Sequence, residues 1–550
     1  MRGATSAKWV VGAVIVAMAA TACGGGDGDK KDNAGGKGGG TFRLGITEPT
    51  AIDPFNVQES EGALVAHNLF TGLYSATQDG KLKPELAESV QTSDDGKIWT
   101  FKIKPGTKFS NGEVVDAEAF IRGWTRVVAK ESASDVAYPM EGIAGYKELN
   151  GGTATTFAGV TAPDANTLKV ELSSGDFEFD KKTVHSAFSP VPKVAGAASN
   201  KAYNDAPIGN GPFKMAGAWE HNKSITLVRN DDYGFEKAKL DKVEISILNA
   251  ANGSTLEYQG FQSGQFDWAR MPTPQMPVAK AKYEPKKQWI EADTSGINYL
   301  VAFNQQAPLN NVDARKAISY AIDRDAIAKG VFQGLQKPAT SVLPPSFADT
   351  YQDGVCTSCV KQDKEKAKEY AAKGGLKPGT VIDFGYNTGA GHEEWVQAIA
   401  QQLKDVLGLE VKLNGKPFKE ALAQQQDKAT GGLWRSAWGA DYPTPDNFLF
   451  PLLATGSINE DPETGKAQGD NRGRYSNPKF DELITQARST KDAAARAKIY
   501  KEAEKLAVDT DQALIPTWKR TQYRLANTEK FTNVKMDFFE DPNLAEIAAK

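Results

Sequence analysis

Along the chain, hydrophobic and polar positions first alternate as short strands with turns, and longer helical stretches appear in the second half. Phe42, Leu44 and Ile46 occupy every second position of Thr41-Phe42-Arg43-Leu44-Gly45-Ile46, the period of a half-buried strand. The same alternation returns in Ile98–Ile103 after the turn Asp94-Asp95-Gly96, and again in Thr167–Leu172 and Ser224–Val228. Asp116 stands at the start of a helix carrying Phe120, Ile121, Trp124 and Val127/Val128, and its carboxylate suits an N-cap. In the second half, Asp313–Ile322 reads as a helix that Asp323 stops and recaps. Lys479–Ala507 reads as a helical pair interrupted near Ser489–Asp492. Val381–Phe384 and Glu410–Leu413 flank the helical stretch Glu393–Leu407, which predicts a β–α–β unit. No repeat and no low-complexity linker divides the chain beyond Thr41, so its domains are expected to share interleaved segments in a large α/β protein.

Composition narrows the class. With 40% hydrophobic and 24% charged residues, the 550-residue chain has the make-up of an ordinary globular protein. It is long enough for three to four domains at about 150 residues each. A net charge of −4 argues against nucleic acid as a partner, since such binders carry a basic footprint.

The first forty residues follow different rules. Arg2 and Lys8 precede twelve mostly apolar residues, Trp9–Ala20, and Ala20-Thr21-Ala22-Cys23 closes the run with small side chains. That is the pattern of a signal peptide over residues 1–22, and the apolar run is short of the roughly 20 residues a membrane span needs. Cleavage before Cys23 would expose a cysteine for lipidation and so a lipid anchor, as in the lipobox of bacterial lipoproteins. Ala20 stands where that pattern usually has Leu, and Ala20-x-Ala22 also suits an ordinary signal peptidase. Gly24–Gly40 holds nine glycines and no apolar side chain larger than alanine, so residues 23–40 read as a flexible tether.

Only Cys356 and Cys359 follow Cys23. Their C-x-x-C spacing has no second pair or nearby histidine to complete a zinc site, and a local loop disulfide is expected. The sequence has no G-x-x-x-x-G-K-[ST] loop, no H-E-x-x-H and no G-x-S-x-G, the motifs of phosphate, zinc and acyl-transfer chemistry. His392-Glu393-Glu394 reads as a helix start. No metal, no cofactor and no enzyme activity are expected.

One segment concentrates chemistry. Gly432–Pro443 packs Trp434, Arg435, Trp438, Asp441 and Tyr442 before a proline-rich turn. It fits a core strand with its charges solvated at the ends. It also fits a cleft strand in which Trp438 is an apolar wall, Asp441 meets an ammonium and Arg435 offers a fork to a carboxylate.

The chain resembles the family 5 solute-binding proteins of ABC importers, in particular the oligopeptide- and dipeptide-binding members. The stretches that carry this are Ile52-Asp53-Pro54, Leu69–Leu73, Leu82–Ser89 and Trp99–Lys104 with Phe109–Gly112. Gly209-Asn210-Gly211-Pro212-Phe213, Phe303-Asn304 with Val312–Ala317, and Ala321–Arg324 continue the match. The resemblance implies a class II periplasmic-binding-protein-like α/β fold, with two α/β lobes around a hinged cleft plus an extra α/β domain. On that pattern lobe I comprises 41–76, 204–295 and 516–550, the extra domain 77–203, and lobe II 296–515. It further implies that Asp441 holds a peptide's α-ammonium, that Arg435 serves its carboxylate end, and that Trp438, Tyr442, Tyr299 and Tyr138 line the cleft. Where some members have a cysteine pair, this chain has Gly296 and Gly439. The implied partners are a peptide and membrane permease subunits driven by separate ATPase subunits, served by a monomer outside the cytoplasm. Within the same family the ligand could instead be a nickel complex, haem, an opine or a sugar, and an extracellular hydrolase is the alternative from another class.

Overall fold

The computed structural model describes residues 39–550 except 197, 198, 250, 251, 389 and 462. The expected signal peptide, Cys23 and nearly all of the tether lie outside the described residues. No helix among the described residues is long and apolar enough to cross a membrane.

The largest sheet has eleven strands, and two long strands run through its middle. Trp289–Ala302 and Leu514–Ala526 pair antiparallel. On one side the sheet continues through Leu433–Gly439 to the parallel pair Val381–Asn387 and Glu410–Lys416. On the other it passes through Trp268–Ala269 to Thr41–Thr47 and its parallel partner Lys242–Leu248. The expected lobe boundaries, 295/296 and 515/516, therefore fall inside two continuous strands.

Those strands are irregular at one place. Asp293 pairs with Thr521 and Ile297 with Lys519, so Thr294, Ser295 and Gly296 oppose Arg520 alone. Extra residues on one strand bend it and increase its local twist. The cores change across this bulge. Trp289, Tyr523 and Leu525 pack in a small cluster with Tyr258 and Tyr283, whereas Ile297, Tyr299, Leu514 and Trp518 belong to the largest core. A third core gathers Phe42, Leu64, Phe213, Ile245 and Leu544 from three separated segments.

A fourth core belongs to the region expected as the extra domain. A small four-stranded sheet includes Ala87–Thr92, Ile98–Ile103 and Thr167–Glu171. Strict alternation in Ile98–Ile103 sends Trp99, Phe101 and Ile103 inward. Helix Ala117–Val128 covers them, capped by Asp116, whose Oδ1 accepts from Ala119 N at 2.9 Å. Its Trp124 packs edge-on against Phe188 at 4.9 Å; fully burying such a side chain contributes roughly 1.5–3 kcal/mol.

In the largest core, helix Glu393–Leu407 buries Trp395, Val396, Ile399, Leu403 and Val406, the i, i+3, i+4 stripe of a helix on a sheet. Gly408, at φ 68°, ends it in the left-handed conformation that glycine adopts without strain. Cys356 and Cys359 form a disulfide within a buried turn.

The extra domain meets the second half through buried charge. Lys182 Nζ lies 2.7 Å from Asp176 and 3.6 Å from Asp446, and Arg488 clamps Asp446 with bonds of 2.7 and 2.9 Å. Asp446 begins the helix Asp446–Leu453, and the next residue, Asn447, enters the site described below.

Candidate functional site

A cavity of about 840 Å³ opens where these parts converge. Its walls come from all of them: Ser60, Glu61, Ala63, Leu64 and His67, Tyr138 and His185, Arg270, Arg435–Gly439 of the strand Leu433–Gly439, Asp470 and Arg472, and the C-terminal loop Phe538–Pro542. The strand owes its position to its neighbours. Gly439, Trp438, Ala437, Ser436 and Arg435 pair in register with Gly296, Ile297, Asn298, Tyr299 and Leu300.

Five of the six ligand-site residues expected from the sequence line this cavity: Asp441, Arg435, Trp438, Tyr299 and Tyr138. Tyr442 does not. It is 1% exposed, buried in the bend that follows the strand, while Asp441 beside it faces the cavity.

Asp441 is held by neutral donors. The Tyr138 hydroxyl donates to Asp441 Oδ2, and Asn447 Nδ2 donates to the same oxygen at 3.3 Å. Asn447 joins the group together: its Oδ1 accepts from Asp441 N at 2.8 Å and from Trp438 Nε1 at 3.4 Å, and its Nδ2 also reaches the Tyr138 oxygen at 3.1 Å. Among the described residues no lysine or arginine pairs with Asp441. Burial raises its carboxyl above the ordinary aspartate range, opposed by the bonds from Tyr138 and Asn447. Burial and the adjacent Asp441 push the Tyr138 phenol well up, so it stays a donor.

Arg435 is the complementary case. Its Nη1 donates to Asn387 Oδ1 at 3.0 Å, while its buried Nε has no acceptor among the described residues. Burial, and then the like charge of Arg520, lower its pKa to about 10, so it remains a cation at neutral pH. Several other charges on the walls are paired. Arg472 meets Asp470 at 2.6 Å, Arg520 meets Glu540 at 2.8 Å, and Arg270 meets Glu257 at 2.7 Å and Glu61 at 3.3 Å. His67 and His185 are lowered to about 4, chiefly by burial, and are neutral at pH 7.

Sequence reasoning missed Asn447, Arg520, and the pair Asp470 and Arg472. Asn447 lies six residues beyond Asp441, in the first turn of the helix Asp446–Leu453, a spacing with no motif attached. No cluster of three or more histidine, cysteine, aspartate or glutamate side chains suited to a metal occurs among the described residues. Chemically, the cavity offers an ion-pairing carboxylate, a guanidinium, aromatic walls and a strand beside which an extended ligand can lie.

The family model for bacterial extracellular solute-binding proteins, family 5 (middle region), matches residues 81–460. The oligopeptide-binding protein OppA of Bacillus subtilis is 33% identical over 518 residues, covering 90% of this chain and 91% of that protein. The dipeptide-binding protein DppE of the same organism is 30% identical over 501 residues, covering 88% and 87%. The solved structure of the murein tripeptide binding protein MppA of Escherichia coli superposes with a TM-score of 0.77 at 25% identity, covering 92% of this chain and 98% of that one.

Proposed function

The chain belongs to the family 5 bacterial extracellular solute-binding proteins, and from that premise we propose that it captures peptides in this cleft and delivers them to an ABC importer. One observation carries the peptide reading: Asp441 is a buried carboxylate facing the cavity with only neutral hydrogen-bond donors around it. An α-ammonium supplies the missing charge, and a charge-assisted bond in a water-excluded site is stronger than a neutral one. Arg435, a cation on the same strand that lines the cavity and has no ion pair among the described residues, serves the carboxylate end. Between these ends the peptide lies extended along cleft backbone, as in strand addition, so that binding does not depend on every side chain. The names of OppA and DppE support the same ligand class.

The protein acts by binding, with no chemical step of its own. The bulge at Thr294–Gly296 provides the bend about which the lobes close. Cys23, at the end of the signal segment, anchors the protein to the outer face of the cell membrane by lipidation, and the glycine-rich tether gives it reach.

Native mass spectrometry of the signal-less protein purified from peptide-rich medium, followed by denaturation, tests the ligand class. A ladder of released peptides is expected. A metal complex, haem or sugar in their place would overturn the peptide reading and leave Asp441 and Arg435 without a role. For the anchor, labelled fatty acid should enter the full-length protein and not its Cys23→Ser variant.

A further inference from the structure

Arg520 occupies an unusual place. It stands alone opposite the bulge of the long strand, and its side chain crosses toward the strand Leu433–Gly439. Gly296 and Gly439 are register partners there. A Cβ on Gly296 would lie 2.6 Å from Arg520 Cδ, and one on Gly439 would lie 3.2 Å from Arg520 Nη1. The two glycines therefore form the bed on which this arginine lies. Its side chain retains 30% exposure and lines the cavity. Glu540, at φ 72°, holds Nη2 at 2.8 Å.

Arg435 is near enough to feel the charge of Arg520, and no carboxylate is among the groups that shift it. Glu540 pairs with Arg520, whereas Arg435 has no ion pair among the described residues and its buried Nε has no acceptor there. Gly439 precedes Asp441 by two residues, at most about 7 Å of extended chain. A peptide anchored by its ammonium at Asp441 and laid back along the strand past Gly439 would bring its second or third residue to Arg520.

We propose that Arg520, beside Arg435, receives a ligand carboxylate close to the bound ammonium, so that the protein favours peptides with a negative charge within their first three residues. This rests on the peptide reading of the cleft. The carboxylate has two sources, the C-terminus of a di- or tripeptide or an aspartate or glutamate side chain at position two or three of a longer one.

Calorimetric titration separates them. One set compares di- and trialanine with their C-terminal amides; the other compares pentaalanine carrying Glu at position two or three with its Gln counterparts. In the wild type at least one set should show a tenfold or greater preference for the charged member, and the set that does identifies the source. Arg520→Gln should bring that ratio close to one while affinity for the neutral peptides stays within about threefold; Arg520→Lys should keep part of it. Glu540→Gln, which frees Arg520, should raise the ratio. A strut without a binding role would lower the melting temperature in both variants and leave the ratio alone. Peptides that bind wild type with no charge preference, or a preference that Arg520→Gln leaves intact, overturn the proposal alone. If no peptide of either set binds, the peptide reading itself falls and takes the proposal with it.

Discussion

Tyr138 donates its hydroxyl hydrogen to Asp441 across the cleft, joining residues 303 positions apart in the chain. Asn447 completes the triangle by donating to both. Because Tyr138 belongs to the region of the small sheet and Asp441 follows the strand Leu433–Gly439, assembling the carboxylate site requires the two sides to be together. Under the proposed function, the carboxylate that meets the ligand would thereby depend on contacts from both sides.

Replacing that carboxylate should abolish most binding without unfolding the protein. Truncating one partner of a desolvated charge pair costs about 2–5 kcal/mol, much of it from leaving the other charge buried. Asp441→Ala should therefore lose that much peptide affinity by calorimetry while its circular dichroism spectrum and melting temperature stay near wild type. Unchanged affinity would remove Asp441 from the site.

Proton linkage gives an independent test. Burial raises the free-state pKa of Asp441 above 3.8, whereas a bound ammonium favours the ionised form. Binding therefore releases a proton at acid pH, and affinity should fall about tenfold per pH unit below the free-state value. The break should lie above pH 3.8, and above about pH 8 affinity should fall again as the peptide α-amine deprotonates. Titrations from pH 4 to 9 in buffers of different ionisation enthalpy report both limbs. Asp441→Asn should erase the acid limb only.

Much of the frame was legible in the sequence because it is local. Alternation marked Ile98–Ile103, and Asp116 and Asp323 cap the helices they precede. The 3.6-residue stripe marked Glu393–Leu407. Tyr442, which the resemblance placed in the cleft, lies buried beside Asp441, and a motif does not say which of two neighbours faces the cavity. Asn447 and Arg520 left no signal, since their roles depend on partners brought close only by the fold. Gly296 and Gly439 stood out as a departure, but their reason, the arginine lying over them, comes from another strand. The bulge opposite Arg520 is equally silent, being a mismatch between two strands rather than a property of either.

Stability should hinge on one buried pair that ties the helix Ala117–Val128 to Asp53. Arg126 Nη1 and Nη2 bond both oxygens of Asp53 at 2.7 and 2.6 Å, with side-chain exposures of 1% and 0%. The guanidinium also lies over Phe55 at 4.9 Å and Tyr203 at 5.4 Å. Removing one partner of such a pair leaves a buried charge and costs about 3–5 kcal/mol. Asp53→Ala should lower the urea midpoint accordingly, and a loss under 1 kcal/mol would show that water reaches the arginine.

Glu504 predicts a pH effect of opposite sign. It is fully buried at the end of helix Ala493–Glu504, and its Oε1 accepts from Ser341 Oγ, Val342 N and Leu343 N at 2.5, 2.9 and 3.1 Å. Its Oε2 has no donor among the described residues. Burial lifts its pKa from 4.5 to about 7. Between those values the native state binds more protons than the unfolded chain, so this group makes stability fall as pH rises through that window. The loss amounts to about 3 kcal/mol once both limits are passed. Glu504→Gln keeps the acceptor that serves all three donors and cannot ionise. Its unfolding free energy should resemble wild type near pH 4.5 and exceed it at pH 8 by most of that amount. Equal slopes for the two proteins between pH 4.5 and 8 in urea titrations would mean that Glu504 folds with its charge intact.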